Sequence, residues 1–437
     1  MSIELITILL FSTLFLLFMA GMPIFLAMGV TSTLFVLLLL GPQKLLLIGY
    51  NMFGGAASMV LLAVPLFIFM GNLMRYTGMA QDLFDTIYAW IGGVRGGLAM
   101  GTVGICAVFA SMSGVSSATT MTMGVIGLPA MAKHKYNDQL AIGTIAAGGL
   151  LGLIIPPSVS QVIYSSISGT SVGQMYFGCM IPGILLAGLY IAYTGVRSYL
   201  QPGFAPAMPK EERLSWREKF LTLNAVVAPG LIIAFIWAGI YSGAITPTEA
   251  AGMGAMAVII ACLVKRTLNL AAVKEALSST LKLSSMIMWL IMACGCFSAL
   301  YQTLGAKELI EKTILALPVN GVVVIIMMQL LIFILGALMD DVVVMMLCIP
   351  IMLPIVVALG FNPLWFGVIF MIQVQAAWIT PPYGFNLFYM RAIVPTTTPT
   401  TTIYKAVLPY IGIQLTLLVL VMCVPWLATW LPSVVIR

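Results

Sequence analysis

Long apolar runs separated by short polar breaks cover most of this 437-residue chain. A helix needs about 20 apolar residues to cross a bilayer. Runs near this length recur along the chain, for example at Gln174–Leu200, Leu221–Tyr241 and Ala250–Val264. They are continuous and lack the alternation typical of a membrane β-barrel. The pattern therefore predicts an all-α polytopic membrane protein with about eleven or twelve spans plus two helical hairpins.

Two stretches of the chain depart from this pattern. The segment Leu268–Leu281 is amphipathic, and we expect it to be separate from the span that follows at Leu283–Leu300. The most polar stretch of the chain is Gln201–Lys219. Its charges predict a connector outside the membrane, on the cytoplasmic side.

Two parts of the chain align with each other 225 residues apart without a gap. The aligned pairs are Leu128 with Leu353, Pro129 with Pro354, Ile154 with Ile379, Pro156-Pro157 with Pro381-Pro382, Gln161 with Asn386, and Tyr164 with Tyr389. Coincident prolines at this spacing indicate an internal duplication. We therefore expect two repeats, at 1–200 and 225–437, joined by the polar cytoplasmic connector at 201–224.

Each repeat contains a pair of apolar runs, at about 97–132 and at about 321–359. Arg95, Lys133 and Lys135 bracket the first pair, and the positive-inside rule places both brackets in the cytoplasm. This favours a re-entrant hairpin with the polar sequence SGVSS at its tip; two ordinary spans with a small-residue turn are the alternative. No Lys or Arg brackets the second pair, and this asymmetry is typical of an inverted repeat.

A Pro-Pro pair follows each predicted hairpin and predicts a break in the helix, at 152–158 and at 377–383. Proline removes an amide donor and leaves an earlier carbonyl without its partner, so the helix opens there. Irregular backbone persists at membrane depth only where it is buried or lines a cavity. One such pair alone would indicate a kink, but two at matching positions favour paired ion sites formed by backbone carbonyls.

Asp340 and Asp341 lie inside an apolar run that extends from Val322 to Leu359. A carboxylate at membrane depth costs roughly 2.5–3.5 kcal/mol on the insertion scale. We expect at least one of the two to bind a cation; capping of a helix end in water is the alternative. Hydroxyl groups near the breaks offer further oxygen ligands: Ser113, Ser116, Ser117 and Thr380.

Composition excludes several classes of function. Charged residues make up 7% of the chain, against roughly 25% in a soluble domain, so a soluble protein is excluded. The net charge of +6 is spread over loops without the basic run that nucleic acid requires, so nucleic-acid binding is excluded too. With a single histidine, His134, and seven scattered cysteines, the sequence predicts no transition-metal site. The sequence contains no phosphate-binding loop, and no organic cofactor is expected. An intramembrane enzyme with Asp340 and Asp341 as its acid dyad would explain neither the breaks nor the duplication, so no enzymatic activity is expected.

Five motifs carry a resemblance to a known family: GGVRGGLA, SGVSSAT, YNDQLAIGTIAAGGLLGLIIPPS, ITPTEAAGMGA and ITPPYGFNLF. Over essentially the whole chain the sequence resembles the large membrane subunit, the DctM-like component, of tripartite ATP-independent periplasmic (TRAP) transporters. The resemblance implies an inner-membrane importer of an organic acid, often a carboxylate, driven by a Na⁺ gradient. It also implies an elevator-type fold with scaffold and transport domains, a small four-span membrane subunit and a periplasmic substrate-binding protein as partners.

The resemblance implies site residues as well. The first Na⁺ site would use Ser113, Gly114, Ser116, Gly152, Ile155 and Pro157. The second would use Asp340 or Asp341 with Ala377, Thr380 and Pro382. Substrate would lie between the tips, near Ser117, Gln375 and Asn386. The sequence departs from the family at SGVSS, where SGSS-like sequence is commoner, and at Ala377, where glycine is commoner. A stand-alone Na⁺/carboxylate transporter of the related elevator superfamily is the alternative function.

Overall fold

A computed structural model describes residues 2–435, and all regular secondary structure in that part of the chain is helical. The helices are α1 (Ile3–Met19), α2 (Ile24–Phe35), α3 (Leu45–Ala56), α4 (Ala63–Tyr76), α5 (Met79–Ile91), α6 (Gly97–Ser113), α7 (Ser116–Lys133), α8 (Asp138–Gly149), α9 (Leu151–Ile154), α10 (Val159–Ser168), α11 (Val172–Leu200), α12 (Trp216–Thr222), α13 (Asn224–Tyr241), α14 (Pro247–Val264), α15 (Leu270–Thr303), α16 (Ala306–Leu315), α17 (Gly321–Leu338), α18 (Asp341–Ala358), α19 (Pro363–Trp378), α20 (Phe385–Ile393), α21 (Thr400–Cys423) and α22 (Trp426–Val435). Within residues 2–435, nine helical segments are long and apolar enough to cross a bilayer. The predicted all-α membrane class is confirmed.

A helical hairpin and a broken helix follow each other in the same order in the two parts of the chain. Helices α7 and α18 have matching bounds 225 residues apart, and α10 and α20 each begin after a Pro-Pro pair. The peptide bonds Pro156-Pro157 and Pro381-Pro382 are both cis. Each part of the chain therefore contains a helical hairpin, α6–α7 or α17–α18, followed by a broken helix.

Asparagine side chains define the starts of the two broken helices. Asn137 accepts a hydrogen bond from the Gln139 amide at 2.9 Å and begins α8. Asn362 accepts one from the Leu364 amide at 2.8 Å and begins α19, with Pro363 in its first turn. Such caps satisfy amides that have no partner inside the helix. The two caps lie 225 residues apart, so the two repeats also share the capping residue with which each broken helix starts.

The prediction of two separate segments before and after residue 282 is wrong. Leu268–Leu281 and Leu283–Leu300 belong almost entirely to one helix of 34 residues, α15. The chain has no proline or glycine between Leu270 and Cys294, so nothing in the backbone interrupts the helix. The polar and apolar parts that suggested two elements are therefore successive parts of one long helix.

The helices pack in two groups. Helices α2, α3 and α4 pack against α15, and α14 packs against α4. The Asn72 amide of α4 donates to the Thr280 hydroxyl of α15 at 3.2 Å. The hairpins and broken helices pack with α11 and α21 in the second group. The groups meet closely at Gly71 of α4, because a Cβ atom placed there would lie 2.5 Å from Ser113 Cα. A glycine is required at this contact.

The polar connector packs against both ends of the first hairpin. The Gly96 amide, before α6, donates to the Ala205 carbonyl at 3.1 Å. The Asn137 amide, after α7, donates to the Phe204 carbonyl at 2.8 Å. Two adjacent connector carbonyls therefore hold the base of this hairpin.

The histidine of the chain takes part in the same packing. His134 Nε2 lies 2.6 Å from the Tyr88 hydroxyl, and its Nδ1 lies 3.9 Å from a carboxylate oxygen of Glu212 in the connector. Burial, reinforced by the negative charge of Glu212, raises the pKa of Tyr88 to about 12. The phenol therefore stays neutral at physiological pH and remains a hydrogen-bonding partner for His134.

Candidate functional site

The first hairpin tip packs directly on the first helix break. Gly114, between α6 and α7, has a φ of +62°, and its carbonyl accepts a hydrogen bond from the Val159 amide at 3.0 Å. A Cβ atom placed on Gly152 would lie 3.3 Å from Ser116 Oγ, so the broken helix passes beside the start of α7. The structure thus brings Gly114, Ser116 and Gly152 of the first predicted cation set together.

The other members of this set lie around the same contact. Ser113 is buried, and its hydroxyl lies 3.1 Å from the Thr119 hydroxyl. Ile155 has extended backbone, where α9 ends. A Cβ atom placed on Gly114 would lie 3.5 Å from the Pro157 carbonyl oxygen, which therefore faces the tip.

The two aspartates of the second hairpin have different surroundings. Asp340 caps α18, because its Oδ1 accepts a hydrogen bond from the Val342 amide at 3.1 Å. Asp341 is the first residue of α18, is only 6% exposed, and accepts a hydrogen bond from the Ser160 hydroxyl through Oδ2. Asp340 therefore stabilises its own helix, whereas Asp341 reaches the other repeat.

Ser160 is a site residue that the sequence analysis missed. It is the second residue of α10, directly after the first break, and lies 181 residues from Asp341 in the chain. The repeat aligns it with Phe385, so no polar residue at the matching position singles it out. The available signal was a hydroxyl three residues after the Pro-Pro pair, in the sequence PPSVS.

Both tips, the first break and the second broken helix border one cavity of about 100 Å³. Its polar lining residues are Ser116, Ser117, Ser160, Asp340, Asp341 and Tyr389. Apolar side chains of α15 close one side of the cavity. The hydroxyl of Ser116 is buried and has no hydrogen-bond partner within residues 2–435, so it is available to a ligand.

The rest of the second predicted cation set lies at the second break, outside the lining of this cavity. The Thr380 hydroxyl donates to a carbonyl of its own helix at 2.7 Å, and the Pro382 carbonyl accepts a hydrogen bond from Tyr404 at 3.0 Å. Ala377 is fully buried, and a Cβ atom placed on Gly336 would lie 2.8 Å from its Cβ. The second break therefore packs closely against α17.

The three predicted substrate residues occupy different places. Ser117 lines the cavity. The Asn386 side-chain amide donates to the Ala146 carbonyl at 2.7 Å and joins α20 to α8. Gln375 is fully buried in α19, and neither of its side-chain polar atoms has a partner in the described part of the chain. Of the three, the structure brings only Ser117 to the cavity between the tips.

Gln161 provides hydrogen bonds to backbone carbonyls at the first break. Its side-chain amide donates to the carbonyls of Leu153 at 3.0 Å and Ile154 at 2.9 Å. A buried carbonyl without a donor costs about 1–3 kcal/mol. We therefore expect Gln161→Leu to lower the melting temperature of the purified protein by several degrees. Gln302→Leu, at an exposed glutamine of α15, is the control; equal melting temperatures for both variants would show that the carbonyls find other donors.

Helices α7, α10 and α18 all begin at the cavity. A helix start carries partial positive charge and amides without helical partners, which favours an anionic group. The Asp341 carboxylate and the serine hydroxyls supply the oxygen ligands that a hard cation prefers. Within residues 2–435, no group of three or more His, Cys, Asp or Glu side chains is placed to hold a metal ion. The arrangement suits a small cation together with an organic anion.

Comparison with protein families shows where this chain belongs. The family described as "Tripartite ATP-independent periplasmic transporter, DctM component" matches residues 11–427. The chain belongs to this DctM family. The resemblance carried by the five motifs is confirmed, and the chain is the permease of a secondary transporter of organic acids in the inner membrane, not an enzyme.

Relatives of this DctM-family chain differ in their named substrates. The C4-dicarboxylate TRAP transporter large permease protein DctM of Vibrio cholerae is 30% identical over 435 residues, 94% of this chain and 94% of that protein. The isethionate TRAP transporter permease protein DctMQ of Oleidesulfovibrio alaskensis is 27% identical over 93% of this chain and 63% of that longer protein. Family membership alone therefore does not select one substrate.

A solved structure shares the fold. The YdaH transporter of Alcanivorax borkumensis superposes with a TM-score of 0.66 at 16% identity, over 91% of this chain and 91% of that one. At this identity the likeness concerns the fold alone. Together with the helix order described above, it supports the predicted all-α fold with paired helical hairpins and broken helices.

Proposed function

We propose that this chain is the large permease subunit of a binding-protein-dependent transporter that imports an organic acid across the inner membrane, driven by a Na⁺ gradient. One observation carries the proposal. The two hairpin tips meet at a cavity where Asp341, Ser160 and Ser116 present a carboxylate and two hydroxyls. A buried carboxylate surrounded by oxygen atoms at membrane depth suits a coupling cation.

The cations would occupy two sites, one at each break. In the first repeat, the contact of Gly114 and Ser116 with the broken helix gathers hydroxyl and carbonyl oxygens, with Ser113, Gly152, Ile155 and Pro157 around them. In the second, Asp341 supplies the charge, and the backbone of Ala377, Thr380 and Pro382 supplies carbonyls. Asp340 acts as the cap of α18 and not as a ligand.

The substrate would lie between the tips, with its negative charge toward the starts of α7, α10 and α18 and with Ser117 beside it. The relative from Vibrio cholerae is named for C4-dicarboxylates. A dicarboxylate of that size, such as succinate or malate, is therefore the first compound to test.

Transport would follow an elevator movement with two further proteins. The hairpins and broken helices would move as one body against the group around α15, and Gly71 would permit the close contact at Ser113. A small four-span subunit would bind the static group, and a periplasmic binding protein would deliver the substrate. The name DctMQ of the longer relative supports the small subunit.

The test is uptake of radiolabelled C4-dicarboxylates into proteoliposomes that contain this chain and its small subunit, with candidate binding proteins outside. We expect uptake only with both an inward Na⁺ gradient and a binding protein. Uptake without the binding protein would favour the stand-alone transporter. Uptake driven by a proton gradient and indifferent to Na⁺ would contradict the cation sites.

A further inference from the structure

We propose that Ser160 couples the two cation sites: its hydroxyl positions Asp341, so that a cation at one site raises the affinity of the other. The inference rests on the proposed function, because it requires a cation at each break. Ser160 is a positioning residue in this proposal. It belongs to the first repeat by sequence and holds a ligand that belongs to the second.

Ser160 is tied to the first site through the backbone that precedes it. The Val159 amide donates to the Gly114 carbonyl at 3.0 Å, and the Pro157 carbonyl faces the same tip. A cation bound between the tip and the break would hold Gly114, Pro157 and the start of α10 in one arrangement. Ser160 is the next residue in that segment, so its position becomes fixed with them.

Ser160 is tied to the second site through its side chain. Its hydroxyl donates to Asp341 Oδ2, and both residues are only 6% exposed, so the bond is made in a low-dielectric interior. The hydroxyl has one hydrogen and orients one carboxylate oxygen, leaving the other free for a cation. If the start of α10 is not held in place, the Asp341 carboxylate loses this orientation. Cation binding at the second site must then also order the carboxylate, and the entropy lost in doing so lowers the affinity.

No other polar side-chain contact in residues 2–435 replaces this bond. Asp340 is bonded to its own helix, and the Ser116 hydroxyl has no partner there. Among the side-chain hydrogen bonds of this part of the chain, Ser160 to Asp341 is the one that joins the second tip to the first repeat. Coupling between two sites is reciprocal. Loss of this bond should therefore remove the effect that a cation at either site has on the cation affinity of the other.

The experiment measures binding of ²²Na⁺ to the purified permease with its small subunit in detergent. Unlabelled Na⁺ displaces the tracer, and choline keeps the ionic strength constant. Two coupled sites give a Hill coefficient that approaches about 2 in the wild type. We expect Ser160→Ala to retain Na⁺ binding with a coefficient close to about 1, and Ser160→Thr to keep the wild-type value because it keeps the hydroxyl.

Ser166→Ala is the matched control, since Ser166 lies on the same helix and donates only to its own helix carbonyl, at Ile163, at 2.8 Å. Its Hill coefficient should equal that of the wild type. An unchanged coefficient in Ser160→Ala would overturn the inference alone. Absence of displaceable Na⁺ binding in the wild type would instead overturn the proposed function.

Two further variants keep the test decisive. In the background of Asp341→Asn, adding Ser160→Ala should cause no further loss of Na⁺ affinity, because Ser160 acts through that carboxylate. A further loss would show that Ser160 is a ligand of the first site and would overturn the coupling role. If Ser160→Ala does not elute as a folded complex, Ser160→Cys provides a weaker donor of similar size, and its coefficient should fall below that of the wild type.

Discussion

Replacement of Asp341 by asparagine is expected to reduce Na⁺-driven uptake at least about 100-fold, equivalent to about 3 kcal/mol. Asparagine keeps the shape of the side chain and removes its charge. The charge offsets the cost of taking a cation out of water at membrane depth, and the neighbouring serine hydroxyls cannot replace it. The measurement is initial uptake into proteoliposomes as a function of external Na⁺ concentration, with transporter density held equal.

Asp340→Asn is the matched control, one residue away in the same tip. Asp340 accepts the Val342 amide as the cap of α18, and asparagine caps a helix about as well as aspartate. We expect uptake by this variant to fall less than about tenfold below that of the wild type. The opposite ranking of the two variants would identify Asp340 as the cation ligand and would contradict the site described above.

Gly149→Val is expected to have the largest effect on folding. Gly149 ends α8 where it crosses α7, and a Cβ atom placed there would lie 2.0 Å from Thr120 Oγ1 and 2.8 Å from Thr120 Cα. The hydroxyl can rotate away, but the Cα cannot, so α7 must move off α8. Overpacking of this kind costs about 1–3 kcal/mol and more for a branched side chain. The melting temperature and the yield of folded protein should both fall.

Gly104→Ala provides the comparison for this variant. Gly104 lies in α6, which forms the first hairpin with α7, the helix that packs on Gly149. A Cβ atom placed on Gly104 meets nothing within 4 Å. Its melting temperature should match that of the wild type or exceed it slightly, because alanine favours helix over glycine. Equal stability of the valine and alanine variants would mean that the first hairpin does not pack on α8 as described.

Local signals account for the part of the fold that the sequence predicted. The Pro-Pro pairs open the helices because proline lacks an amide, and this effect does not depend on distant residues. The polar tip sequence SGVSS spans the end of α6 and the start of α7, and Gly114 between them adopts its positive φ. The fold class follows from these signals and from apolar runs too long for a soluble protein. The same reasoning failed at α15, because a change from amphipathic to apolar sequence does not end a helix.

The sequence by itself determined that the chain is an all-helical membrane protein of the DctM family, with a Pro-Pro helix break in each half and an unusual pair of aspartates. Only the tertiary structure decided that Asp340 caps its own helix and that Asp341 meets Ser160. The physical reason is distance along the chain. A cap depends on the next few residues, whereas a bond across 181 residues depends on how two repeats pack, and no local pattern records that packing.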